Sequence, residues 1–213
     1  MCSSDLTTLL VFTSDNGPEI TRLNALRTKD VMPVGAYDRI REYGHASMGD
    51  LRGIKYEAWE GGHRVPFVAR WPGRIPAGAT SGELLCLTDL MATFAAAAGA
   101  TVPPGAGEDS FNALPLLLGG KGARDGAVLQ SARTALAVRS GDWVYIDAGA
   151  GINPEPDWFM RARGYTTNAL PDQLYRLSDD LSQRRNLVAE HPGKASELKA
   201  LLETIRTRGR HAP

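Results

Sequence analysis

No stretch constrains the fold of this chain more than Leu9-Leu10-Val11-Phe12-Thr13-Ser14-Asp15-Asn16-Gly17, an apolar run that stops at a carboxylate, a carboxamide and a glycine. An uninterrupted apolar run reads as a strand buried on both faces, the pattern of parallel strands in α/β sheets. Such sheets bind ligands just beyond the carboxyl ends of their strands, so Asp15 and Asn16 fall where chemistry is usually found. Both offer compact, hard oxygen donors suited to Ca²⁺ or Mg²⁺, and Gly17 lets the backbone turn away sharply. A plain strand closed by an Asn-Gly turn accounts for the same triplet, so a second feature has to decide.

That feature is Gly53-Ile54-Lys55-Tyr56-Glu57-Ala58-Trp59-Glu60-Gly61-Gly62-His63-Arg64-Val65-Pro66. With the first stretch it resembles the type I sulfatases. In that family a strand ending in Asp-Asn-Gly supplies two ligands of a bound Ca²⁺. The lysine of a Gly-x-Lys-x-x-x-x-Glu-Gly-Gly-x-Arg-x-Pro segment contacts the substrate sulfate. The likeness continues through Phe67 to Gly73, Leu84 to Gly99 and Ser110 to Gly119, and is looser beyond. It implies an α/β, alkaline-phosphatase-like fold and hydrolysis of sulfate esters of a carbohydrate or aryl alcohol. It also implies Ca²⁺, with Mg²⁺ as the substitute, at Asp15 and Asn16, Lys55 as the catalytic sulfate contact, and a periplasmic or secreted location.

The chemistry expected of Lys55 also stands without the family. A sulfate ester carries one delocalised negative charge and gains more on its oxygens as it is cleaved, so a compact ammonium beside them lowers the barrier. Gly53, Gly61 and Gly62 permit close backbone approach around it, and Trp59 is placed to pack over the lysine stem. Between the two motifs runs a long polar loop, Gly17 to Asp50, carrying Arg22, Arg27, Arg39 and Arg41 with Pro18 and Pro33. Long connections of this kind are usually lids or binding loops, so this one is expected to overhang the site. Within Tyr43-Gly44-His45, His45 is the second substrate-binding candidate, able to donate a hydrogen bond to sulfate or protonate a leaving alcohol. His63 is a weaker candidate, and Glu60 with Arg64 reads as a structural ion pair or cap.

Type I sulfatases attack with a formylglycine made from the first residue of a Cys/Ser-x-Pro/Ala-x-Arg motif. The cysteines here are Cys2, followed by Ser3-Ser4-Asp5-Leu6, and Cys86, followed by Leu87-Thr88-Asp89-Leu90, and neither fits. The resemblance therefore implies the C-terminal part of a sulfatase, inactive alone, whose formylglycine and remaining Ca²⁺ ligands lie in the missing N-terminal part. Cys2 to Leu6 also matches the translated end of a sequencing adapter, TGCTCTTCCGATCT, so residues 1–6 are set aside from fold reasoning.

Composition limits the partners. The 213 residues are 43% hydrophobic with 24 acidic and 24 basic side chains, enough for a core but without the positive field that draws nucleic acid. No run approaches the roughly 18 apolar residues that cross a bilayer.

Two domains are expected, 1–125 from the catalytic sheet and 126–213 as a smaller subdomain. In the first, Val65 to Trp71 reads as a strand. Glu83 to Ala98 reads as a helix or a strand-turn leading into one, with Thr88 as N-cap, Leu90, Phe94 and Ala98 on its packed face and Gly99 as its stop. The resemblance implies a short helix in Ser110 to Gly119. Beyond residue 125, Ala127–Gln130, Thr134–Ser140, Asp142–Asp147 and Gln173–Leu177 read as a small antiparallel sheet with a hairpin at Ser140-Gly141-Asp142. A final helix from about His191 or Pro192 to Arg208 turns Leu198, Leu201, Leu202 and Ile205 to the sheet. Ala148 to Leu170 is expected to loop over the site, its Trp158, Phe159 and Tyr165 stacking on a ring of the substrate or forming a local staple. A phosphodiesterase or phosphonate monoester hydrolase of the same fold, and a non-catalytic carbohydrate-binding relative, are the competing readings.

Overall fold

The computed structural model describes residues 7–18, 40, 43–132, 135–147, 157–165 and 171–209. Expectations placed on residues 1–6, on Arg22, Arg27, Pro33, Arg39 and Arg41, and on residues 148–156 and 166–170 lie outside the described residues. The chain packs as two compact units, each drawn from separated stretches: residues 1–14, 66–127 and 203–213 in one, 15–65 and 128–202 in the other.

In the first unit, β1 (Leu10–Thr13) pairs antiparallel with β2 (Phe67–Arg70), Phe12 opposite Val68 and Leu10 opposite Arg70. This corrects the expectation of a buried parallel strand. Leu10, Phe12 and Val68 are 59%, 65% and 59% exposed, so one face of the pair is open. An apolar run specifies an extended segment, but the direction of its partner and the cover over its second face are set by residues outside the run.

A 3₁₀ turn, Leu87–Asp89, leads into α2 (Leu90–Ala97), the first helix of the chain being the short α1 (Glu60–His63). Asp89, not Thr88, holds the N-cap of α2, while Cys86 caps the 3₁₀ turn and donates its N–H to the Asp89 carboxylate at 2.9 Å. Gly99, at φ 70°, closes α2 where the sequence puts its stop. The packed face of α2 differs from expectation: Asp89 and Thr93 are buried, while Phe94 is exposed. The reason is polar. Arg124 grips Asp89 through Nε at 3.0 Å and Nη2 at 2.5 Å, and the Thr93 hydroxyl donates to the Asp89 carbonyl while accepting the Ala113 N–H. Turning the apolar face inward would strip a buried ion pair of its partners, so the network sets the rotation of the helix. The short helix expected in 110–119 is α3 (Leu114–Leu117).

The second unit follows the sequence closely. Strands β3 (Gly126–Gln130), β4 (Leu136–Ser140), β5 (Trp143–Ile146) and β6 (Gln173–Arg176) form one sheet in chain order, and Gly141 at φ 55° makes the turn between β4 and β5. The register pairs Val138 with Tyr145 and Tyr145 with Leu174. Side chains alternate across a strand, which gives the sheet two apolar faces. On one, Val138, Tyr145 and Leu174 pack against Leu198 and Leu202 of α5 (Pro192–Arg208). On the other, Ala137, Val144, Ile146, Tyr175 and Leu177 pack against Ala58 and Trp59 of the lysine segment. A fully buried large apolar side chain contributes about 1.5–3 kcal/mol, so Trp59 anchors the segment carrying Lys55 to this face. α4 (Asp157–Arg163) precedes β6, with Phe159 buried edge-on between Trp158 and Tyr165. That cluster matches the staple reading of these aromatics.

Candidate active site

The Asp-Asn-Gly turn and the lysine segment are stitched together by backbone. The Gly17 N–H donates to the Gly62 carbonyl at 3.0 Å, and the Lys55 N–H donates to the Pro18 carbonyl at 3.1 Å. Only glycine allows the first of these: a Cβ on Gly17 would overlap the Gly61 carbonyl oxygen, and one on Gly62 would overlap that of Glu57. Asp15 is exposed, Asn16 half-buried and Lys55 half-buried, so the candidate metal donors and the candidate sulfate contact end on the two sides of one seam.

The lysine segment holds its own shape. The Ile54 N–H bonds Glu57 Oε2 at 3.0 Å, the Glu57 N–H bonds the Ile54 carbonyl at 3.0 Å, and the Gly61 N–H bonds the Arg52 carbonyl at 2.6 Å. A polar layer lies beneath. The Glu60 N–H donates to Gln183 Oε1 at 2.7 Å, Arg52 Nη1 to the Gln183 carbonyl at 3.2 Å, and Trp59 Nε1 to Gln173 Oε1 at 3.1 Å. The Arg52 guanidinium lies 4.0 Å from the centre of the Trp59 ring and 4.7 Å from that of Tyr165. Trp59 therefore holds Arg52 rather than the lysine stem. The aromatic at Lys55 is its neighbour Tyr56, whose ring centre is 5.2 Å from Lys55 Nζ.

Glu60, 1% exposed, pairs with Arg64 at 3.2 Å and Arg139 at 3.6 Å, which bears out its reading as a structural partner of Arg64. Burial holds the His63 imidazole below its ordinary value of 6.5, more strongly than the Glu60 carboxylate and a hydrogen bond to Ala58 raise it. The ring is neutral at pH 7 and suits a structural place better than a charge-bearing one. His45 is exposed and makes no hydrogen bond or ion pair to another described residue. The backbone joins the turn that follows Asp15 and Asn16 to the segment of Lys55, and His45 lies exposed on a coil. Sequence reasoning passed over Tyr56, Arg52, Gln173 and Gln183. The first two stand inside or beside the motif, whereas nothing local marks the two glutamines.

Among the described residues no group of three or more His, Cys, Asp or Glu side chains could hold a metal. Asp15 and Asn16 supply two adjacent hard donors, which fits part of the shell of six to eight oxygens that Ca²⁺ takes. Cys86 is half-buried at the cap of a helical turn, a structural position.

The sulfatase family model matches residues 3–100. The chain is 36% identical over 202 residues to an N-acetylgalactosamine-6-O-sulfatase of Bacteroides thetaiotaomicron, covering 94% of this chain and 37% of that one. It is 33% identical over 207 residues to human arylsulfatase A, covering 93% and 37%. A solved structure from work on glycosaminoglycan metabolism by Bacteroides thetaiotaomicron superposes with a TM-score of 0.72 at 35% identity, over 94% of this chain and 39% of that one. The chain thus spans a little over a third of the length of the relatives it matches.

Proposed function

Because the chain belongs to the sulfatase family, we propose that it forms the sulfate-holding part of a sulfuric ester hydrolase, with Lys55 on the ester's sulfate and Asp15 and Asn16 on a divalent cation. The observation that supports this reading is the pair of backbone hydrogen bonds from Gly17 to Gly62 and from Lys55 to Pro18, which keeps cation donors and ammonium at one seam. A rigid seam matters because electrostatic catalysis depends on charges that do not reorganise as the reaction proceeds. In the reaction, the Lys55 ammonium binds the sulfate oxygens and faces the charge that grows on them as the S–O bond breaks. A Ca²⁺ held by Asp15, Asn16 and further ligands would neutralise the same oxygens as a Lewis acid. His45, exposed on its coil, is the candidate to donate a hydrogen bond to the sulfate or a proton to the departing alcohol.

The family resemblance assigns attack to a formylglycine, and neither Cys2 nor Cys86 stands in the required motif. Turnover is therefore proposed for a longer protein in which this stretch is joined to a segment bearing the nucleophile. The name of the N-acetylgalactosamine-6-O-sulfatase relative favours a sulfated sugar as substrate, with an aryl sulfate as the convenient assay.

The test is turnover by such a protein on matched aryl sulfate and aryl phosphate esters. Lys55→Ala is expected to lower kcat on the sulfate ester by about 10²–10³, the usual cost of losing one electrostatic contact to a developing oxyanion, with an unchanged circular dichroism spectrum. Normal turnover by this variant, or a preference for the phosphate ester, rejects the reading.

A further inference from the structure

Tyr56 adopts φ 80°, a left-handed backbone that side chains other than glycine, asparagine and aspartate rarely enter. The sequence does not lack glycine here, with Gly53, Gly61 and Gly62 in the same segment, so the tyrosine is present at a steric cost that glycine would remove. Strain of this kind persists only where the surroundings over-determine it. The backbone around it is pinned: the Tyr56–Glu57 peptide is held at both ends, its carbonyl by the Ala132 N–H at 3.0 Å and its N–H by the Ile54 carbonyl at 3.0 Å, and one peptide further back the Lys55 N–H is held by the Pro18 carbonyl at 3.1 Å. Tyr56 is only half-buried, so its ring is not kept for the core. The ring does stand within cation–π distance of the Lys55 ammonium, 5.2 Å from its centre.

From these observations we infer that Tyr56 is a positioning residue for Lys55: a strained backbone is retained because it turns an aromatic face toward the ammonium and limits where that charge can go. A free lysine carries several rotatable bonds, and a ring against its tip removes rotamers that would otherwise have to be lost on binding the anion. This inference rests on the reading of Lys55 as the sulfate contact.

Three readouts separate a positioning role from a structural one. In the 213-residue chain with ¹³C-labelled lysine, the Lys55 Hε resonances should lie upfield of the other lysines because of the Tyr56 ring. The shift should survive Tyr56→Phe and vanish in Tyr56→Gly and Tyr56→Leu. Calorimetric titration with inorganic sulfate should give roughly three- to tenfold weaker binding for Tyr56→Gly, and wild-type binding for Tyr56→Phe. The melting temperature of Tyr56→Gly should be unchanged or higher by up to about 5 °C, since glycine relieves the strain at some entropic cost. A wild-type chain without the upfield shift, or Tyr56→Gly binding sulfate as well as wild type, overturns the inference. So does a melting temperature that falls in step with affinity. If Lys55→Ala binds sulfate normally, the sulfate-contact reading fails as well. If Lys55→Ala abolishes binding and Tyr56→Gly does not affect it, only the role of Tyr56 fails.

Discussion

Each unit of the chain buries a polar hub, and the two hubs are built to different standards. In the first unit, Asp89 and Arg124 form a closed set. The carboxylate takes the Cys86 and Phe111 N–H groups besides the guanidinium, and Arg124 also reaches the carbonyls of Asp109 and Gly126 while its guanidinium lies 4.5 Å from the centre of the Phe111 ring. In the second unit, the layer under the lysine segment is less complete. Among the described residues, Glu60 Oε1, His63 Nε2 and Gln183 Nε2 are buried without a hydrogen-bond partner, and the two non-glycine residues with positive φ are Gln183 in this layer and Tyr56 in the segment above it. Buried polar groups are normally satisfied, and unsatisfied or strained ones concentrate where function sets the geometry. The first hub serves stability, and the second holds a loop in a shape that stability alone would not select.

That contrast can be broken most forcefully at Arg124. Arg124→Met leaves the Asp89 carboxylate buried without its cation and should cost about 3–5 kcal/mol in urea unfolding of the chain. A loss under 1 kcal/mol would mean that the first hub is no more essential than the second. A middle-sized effect is expected at the seam. In Gly17→Ala the new methyl meets the Gly61 carbonyl, which should destabilise by about 1–3 kcal/mol and part the Asp15-Asn16 turn from Lys55, seen as a weaker response to both Ca²⁺ and sulfate in calorimetry. The smallest effect is a pH dependence. His63 has a folded-state pKa below its unfolded value of 6.5, so between those two values the unfolded chain binds more protons. Its contribution is fully present above pH 6.5 and is lost as pH falls through the lowered folded pKa. His63→Gln should flatten the slope of stability against pH in that interval, and an unchanged slope would assign it to other groups.

What could be read in advance follows from where the information lies. The sheet of β3 to β6 and helix α5 were legible because alternation, the Ser140-Gly141-Asp142 turn and the spacing of Leu198, Leu202 and Ile205 are local signals. The direction of β1 was not, since Leu10, Val11 and Phe12 would look the same beside a parallel or an antiparallel neighbour. The rotation of α2 was hidden for another reason: its buried face is decided by Arg124, which lies 35 residues beyond Asp89. At the site, the glycines around Lys55 announced close packing, and Gly17 against Gly61 delivers it. Trp59 was the obvious aromatic for Lys55, yet a buried guanidinium from Arg52 claims its ring, and the smaller Tyr56 takes the ammonium through a backbone conformation that no side-chain pattern reveals. Gln173 and Gln183 were invisible because a glutamine in a polar stretch carries no sign that it will be buried.

The most direct test of the claim that Asp15, Asn16 and Lys55 form one site is a double-mutant cycle on kcat/KM toward an aryl sulfate, in a longer protein that carries the nucleophile. Residues acting on the same oxygens as a unit are strongly non-additive. If the seam holds a single site, Asp15→Ala with Lys55→Ala should fall no more than about tenfold below the worse single variant. If the two losses multiply in full, the carboxylate and the ammonium act independently, and the single-site account is wrong.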